Sequence, residues 1–338
     1  MKKTMFKRFR LAFASMLVLP FIFSCSTEFD PNADWKDITV VYGLLNQNDS
    51  ITYIKINKAF LGPGNALEFA KIEDSSSYFG NLDVKLVEYL NGNTTGKILY
   101  LDTTTIFNKE PGLFYNPKQV IWKCVSKNQF NEDAVYKLEI RNKITGKIIT
   151  AESPVIGNFD ITRPSVNAIL WSFNNTAPST VEWYSAENGK RYQLSIIFNY
   201  TEVLSGDTAH KKVTWIFPAQ KSQTTVGGVS MKDSYKGEEF YRILASSIPY
   251  KENVKRFAGK VEFVIAVAGE ELNNYIDVTA PSGGIVQERP EYSNVSNGIG
   301  IFSCRYDNSI KQKRIVELNS RSLDSLIYGQ FTKDLGFK

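Results

Sequence analysis

Apolar residues in this chain recur at every second position over stretches too short for helices, and that period limits the fold more than any other feature. Tyr192, Leu194, Ile196, Phe198 and Tyr200 alternate with Arg191, Gln193, Ser195 and Asn199, broken on the outer side only by Ile197. Successive side chains on a strand point to opposite faces, so such a segment makes a strand with one wet face and one dry one. The same pattern sets Ile54 and Ile56 against Lys55 and Asn57, and Tyr136, Leu138 and Ile140 against Lys137, Glu139 and Arg141. Val261, Phe263, Ile265 and Val267 share one face of another segment.

Turn-forming residues punctuate these stretches. Asn46 to Ser50 separates predicted strands at 38–45 and 51–57, Asn91-Gly92 separates 82–90 from 97–101, and Thr145-Gly146 leads into 147–152. Several short strands with no helical period between them predict an all-β fold: an immunoglobulin-like (Ig-like) or fibronectin-like β-sandwich over residues 37–156, then a second β-rich domain over 157–338. Ser153-Pro154 and Arg163-Pro164 bracket the boundary. In the second part, 213–217 is expected to pair back across a polar loop at 205–212. Phe240, Ile243, Leu244 and Ile248 predict a helix over 237–248 that Pro249 stops, and Leu323, Leu326, Ile327 and Phe331 predict a short one over 322–331.

The first 24 residues carry an address rather than a fold. Lys2, Lys3, Lys7, Arg8 and Arg10 precede an apolar stretch from Leu11 to Phe23, the anatomy of a secretory signal. Ile22-Phe23-Ser24-Cys25 resembles a bacterial lipobox, in which the Cys is acylated, as with palmitate, and the preceding segment is removed. The reading is a lipoprotein with signal peptide 1–24, lipidation at Cys25 and a polar tether over 25–36; an ordinary cleaved signal or a retained anchor are the alternatives. Two or more acyl chains make such attachment stable. Glu28, Asp30 and Asp34 follow the Cys closely and resemble a surface-export signal, so the expected location is the outer membrane, cell-surface exposed, with the periplasmic face as the alternative.

The chain has 40 Lys+Arg against 35 Asp+Glu. All of that excess lies ahead of Cys25, so the remainder is formally neutral. It has no basic block of the kind that tracks phosphates, and no nucleic acid partner is expected. A single histidine, His210, rules out a two-histidine zinc site, and no metal or cofactor motif occurs. Cys124 and Cys304 read as two isolated buried thiols, with a disulfide as the alternative. Glu238-Glu239 and Glu270-Glu271 read as solvated or helix N-terminal charges, since adjacent strand positions face opposite ways. The five tryptophans, at 35, 122, 171, 183 and 215, read as packing residues, with a sugar-stacking platform as the alternative.

One polar stretch leads through Gly298 and Gly300 into the apolar segment Ile301-Phe302. It reads either as a connection that completes a sheet or as a partner-binding loop carrying Arg289, Tyr292, Asn294 and Asn297.

Thr39-Val40-Val41-Tyr42-Gly43-Leu44-Leu45, Tyr136-Lys137-Leu138-Glu139-Ile140 with its Gly146 turn, and Asn297-Gly298-Ile299-Gly300-Ile301-Phe302, together with the lipobox-like start, resemble a family of Bacteroidota lipoproteins of unknown function. Such families often accompany TonB-dependent outer-membrane receptors. The resemblance implies a non-enzymatic binding or accessory subunit, with a receptor barrel, a peptide or a glycan as its partner, and transfers no catalytic residue. A carboxylate-dependent hydrolase and a structural subunit of a surface assembly are the alternatives. The hydrolase needs two acids converging about 5 to 9.5 Å apart.

Overall fold

The computed structural model describes residues 36–61, 66–107, 110, 112, 115, 118–174, 177–280, 291–308 and 313–338. The expected signal peptide over 1–24, the expected lipidation site Cys25, Trp35 and the loop residue Arg289 lie outside the described residues. The chain is mainly β, 50% strand and 15% helix. This is an all-β fold with a few short helices.

The first half forms two hydrogen-bonded layers that share a corner. β1 (Lys36–Leu45) and β2 (Ile51–Leu61) pair as an antiparallel hairpin. Two short helices, α1 (Ala66–Ala70) and α2 (Glu73–Ser76), lead to β3 (Leu82–Leu90) and β4 (Asn93–Ile106). β5 (Gln119–Val125), β6 (Val135–Asn142) and β7 (Ile148–Pro154) follow. β4 serves both layers: its first part, up to Leu101, pairs with β3, and Asp102 to Ile106 pair with β5. Val41, Ile54, Ile56, Trp122 and Cys124 from one layer and Val84, Leu86, Leu138, Ile140 and Ile149 from the other join one buried cluster. Burying each such aliphatic side chain contributes roughly 1.5 to 3 kcal/mol, which is what holds the layers face to face.

The second half opens with β8 (Ile161–Arg163), β9 (Leu170–Trp171) and β10 (Ser179–Tyr184). β11 (Arg191–Leu204) and β12 (Asp207–Ile216) make a long hairpin, followed by β13 (Gln220–Lys221) and β14 (Ser230–Tyr235). Helix α3 (Gly237–Ser247), β15 (Lys255–Ala268), helix α4 (Glu270–Thr279), β16 (Ile299–Asp307), β17 (Arg314–Leu318) and helix α5 (Ser320–Tyr328) complete the order. β14, β10 and β8 form a separate three-stranded sheet. The buried face of β11 is the alternating set read from sequence, Tyr192 to Tyr200.

The proline-bracketed stretch at 153–164 joins the halves in sequence, and β16 joins them in the sheet. Residues 299–304 lie parallel to β1, from Val40 opposite Ile299 to Leu45 opposite Cys304. Arg305 to Asp307 then pair with the end of β15. The strand order β12-β11-β15-β16-β1-β2-β5-β4-β3-β6-β7 is therefore continuous across the chain. Gly300 makes this approach feasible. Its φ is +116°, and a Cβ there would sit 2.0 Å from the Val41 carbonyl oxygen, a distance no side chain tolerates.

One local expectation changes, and the helix N-terminal reading of the two acidic pairs holds. Residues 207–212 are strand rather than loop, because Ser205 and Gly206 both adopt positive φ and close the hairpin in two residues. His210 therefore sits on β12, exposed, with its Nδ1 3.2 Å from Thr201 Oγ1. Glu270 and Glu271 open a ten-residue helix, α4, whose first turn favours acids. Glu238 and Glu239 likewise fall in the first turn of α3.

Candidate binding surface

Outward residues of β1, β2 and β5 form a largely exposed apolar face, which α4 reaches only at its β1 margin, where Tyr275 packs against Tyr42. Ile51 lies opposite Val125, and Tyr53 opposite Lys123, across the β2–β5 ladder. Tyr42 lies opposite Lys55 across the β1–β2 ladder. Side chains two apart on a strand share a face, so Val125, Ile51, Tyr53, Lys55 and Tyr42 run together across three strands. Val125 is 71% exposed, Tyr53 50% and Tyr42 41%, where an ordinary sheet face would turn polar residues outward. Contiguous exposed apolar surface with charges among it marks interaction sites.

At the β16 end this face meets the loop singled out from sequence. Asn294 is tied to strand backbone: its Oδ1 accepts from Phe302 N at 2.9 Å, and its Nδ2 donates to Phe302 O at 2.7 Å and Glu152 O at 3.4 Å. Asn297 Nδ2 donates to Ile148 O at 3.0 Å. Ser296 exchanges backbone hydrogen bonds of 2.8 and 3.2 Å with Thr150. Residues 294–297 thus bridge β7 to β16. Tyr292 differs, since its hydroxyl donates to the Glu271 carboxylate and its ring lines a cleft.

That cleft, about 290 Å³, is bounded by Tyr42, Tyr275, Thr279, Glu291, Tyr292, Ser293, Ile299 and Gly300. The Tyr42 and Tyr275 rings stand nearly perpendicular, 79° apart with centroids at 6.5 Å. Burial, then the neighbouring Tyr275 and Glu291, push the Tyr42 phenol up. Tyr275 arrives on α4, which packs on β16 through Leu272 N donating to Ser303 Oγ at 3.0 Å.

A second, larger cleft of about 590 Å³ opens where β3, β4 and β6 meet. Its rim carries Tyr100, 69% exposed, with Asp83, Lys85, Asp102, Glu139, Arg141 and Lys143 nearby. Lys85 pairs with Glu139 at 2.8 Å and Lys143 with Asp83 at 3.3 Å. The volume falls within the usual range for ligand sites.

Among the described residues, the four tryptophans make no platform. Trp122 and Trp183 are each 1% exposed, while Trp171 and Trp215 pack against the core. Cys124 and Cys304 are free, buried thiols, pushed up by burial to about 11 and about 12 respectively. Among the described residues no three His, Cys, Asp or Glu side chains gather closely enough to hold a metal ion. Comparison with protein-family models and with curated proteins returns no match, so geometry and chemistry carry the functional argument.

Proposed function

We propose that this chain is a non-enzymatic accessory lipoprotein, anchored to the outer membrane through Cys25, that docks a partner protein on the outer face of β1, β2 and β5. The observation that carries the reading is the exposed run from Val125 through Ile51 and Tyr53 to Tyr42. Apolar and aromatic residues supply the desolvated centre of an interface, and Lys55 and Lys123 favour a partner with acidic groups opposite them. A TonB-dependent receptor barrel is the partner that the family resemblance implies.

The test is copurification of the acylated protein from mildly solubilised outer membranes. The wild type brings down a barrel in near-stoichiometric amount, and the double variant Tyr53→Glu, Val125→Glu loses it while keeping its unfolding temperature. A barrel retained by the variant overturns the reading. Cys25→Ala is expected to release the protein from membranes; continued attachment overturns the anchor.

A second reading, glycan capture at the larger cleft, rests on Tyr100, an exposed ring beside ion-paired polar groups that suit a sugar's apolar face and hydroxyls. Tyr100→Ala would then abolish retention on a polysaccharide gel. Equal retention of variant and wild type removes that reading.

A further inference from the structure

We propose that the cleft between β1, α4 and the loop at 291–300 is an aromatic cage for an organic cation with an apolar shell, namely an alkylated ammonium head group. The cage adjoins the sheet face and shares Tyr42 with it, but its other walls come from α4 and the loop, so it does not rest on a receptor docking there.

Three features point to this chemistry. Tyrosine rings on separate elements, Tyr42 on β1, Tyr275 on α4 and Tyr292 on the loop, line one small cavity. Two of them stand at 79° with centroids 6.5 Å apart, so a group resting in the angle between the two ring planes can lie against a face of each rather than against the electropositive edges. A ring face is negative and attracts a cation brought within about 6 Å, most strongly when the site is partly dry. The third feature is charge. Glu291 lines the cavity and has no ion-pair partner among the described residues, while Glu270 and Glu271 add negative potential beside Tyr292.

The geometry disfavours other occupants. A hard metal ion takes about six to eight oxygens, several of them carboxylate, and the lining here offers a single carboxylate, Glu291, among three tyrosines, Thr279, Ser293, Ile299 and Gly300. An anion would meet the Glu291 carboxylate. A neutral apolar group would fit the rings but gain nothing from Glu291. The volume, about 290 Å³, is small for a ligand pocket and suits a head group. Lys55 is the cation closest in register to Tyr42, and it opposes the ligand rather than helping it.

The test uses the full chain with its tyrosine rings isotope-labelled, titrated with choline and with 3,3-dimethylbutan-1-ol, a neutral compound of the same shape. Choline is expected to shift the ring signals of Tyr42, Tyr275 and Tyr292 and to bind about tenfold more tightly than the alcohol. Glu291→Gln should weaken choline about fivefold and leave the alcohol unchanged. Lys55→Met should leave choline binding equal or stronger. A short peptide carrying trimethyllysine reads the source: tighter binding than choline assigns a protein side chain, and equal or weaker binding assigns a free small cation. Equal affinities for choline and the alcohol overturn the proposal, as does the absence of saturable choline binding below about 50 mM. The wild-type comparison requires no variant to fold.

Discussion

Arg256 grips one oxygen of Glu202 twice, with Nε at 2.9 Å and Nη2 at 2.7 Å, across the β11–β15 ladder where the two residues are direct partners. The other carboxylate oxygen accepts from Lys211 at 2.6 Å and Lys251 at 2.8 Å. Arg256 is wholly buried, and its remaining donors reach the carbonyls of Leu335 and Pro249. One acid thereby organises the β12 edge, the loop after α3 and the final residues of the chain.

This acid sets part of the acid limb of stability. Hydrogen bonds from Lys211 and Lys251, aided by Arg256 and opposed by burial, lower Glu202 from 4.5 to about 2. A carboxyl depressed on folding contributes stability above its unfolded value and loses it as pH falls towards the folded one. Unfolding temperature is therefore expected to decline between pH 4.5 and about 2. Glu202→Gln should cost about 3 to 5 kcal/mol at neutral pH, because it leaves Arg256 buried and unmatched, and should flatten that decline. Denaturant melts of both proteins across pH provide the measurement, and parallel pH profiles would refute the assignment.

Gly300→Ala tests the strand that joins the halves. The added methyl would fall on the Val41 carbonyl, so β16 must withdraw from β1. The expected loss is about 3 kcal/mol or more, with faster amide exchange at residues 40–45. Gly146→Ala is the control: it shares the positive φ but meets nothing within 4 Å, so it should cost less.

Asn294→Ala separates the β7–β16 bridge from binding. The variant strands the Phe302 N–H and removes two donations to carbonyls, at an expected cost of about 1 to 3 kcal/mol. Choline affinity should fall only as the folded fraction falls. Exchange at Phe302 and Thr150, followed alongside ring shifts of Tyr42, distinguishes the two effects.

Both thiols should stay silent in the native state. Burial raises Cys124 and Cys304 well above ordinary thiols, which disfavours the reactive thiolate. A chromogenic thiol reagent at pH 8 is expected to label neither until urea unfolds the chain. Rapid labelling of either in native buffer would contradict their burial.

Legibility in the sequence followed solvation. β11 and β6 each keep one wet face, so their alternation was plain to read. β5 buries Ile121 and Trp122 on successive positions and shows no period. Helix α4 was silent for another reason. It docks through polar atoms, with Asn273 Oδ1 accepting from Arg191 Nε at 3.0 Å, and so lacks an apolar stripe. The cleft inherits this unevenness. Tyr292 stood out in a conspicuous loop, whereas Tyr42 was one more strand residue and Tyr275 lay on the unread helix. No local pattern brings three such residues together, because β1 meets β16 only through the completed sheet.

That meeting places a condition on the order of assembly. The partner of β1 on one side comes from residues 299–304, so its edge stays open while most of the chain is still arriving. Pairing over such a separation is slow, and an open apolar edge is adhesive meanwhile. A truncated product lacking residue 299 onward would leave Val40 to Leu45 presenting unpaired amides to any neighbouring strand. Its expected fate is aggregation, and the smallest unit able to fold includes both ends of this pairing.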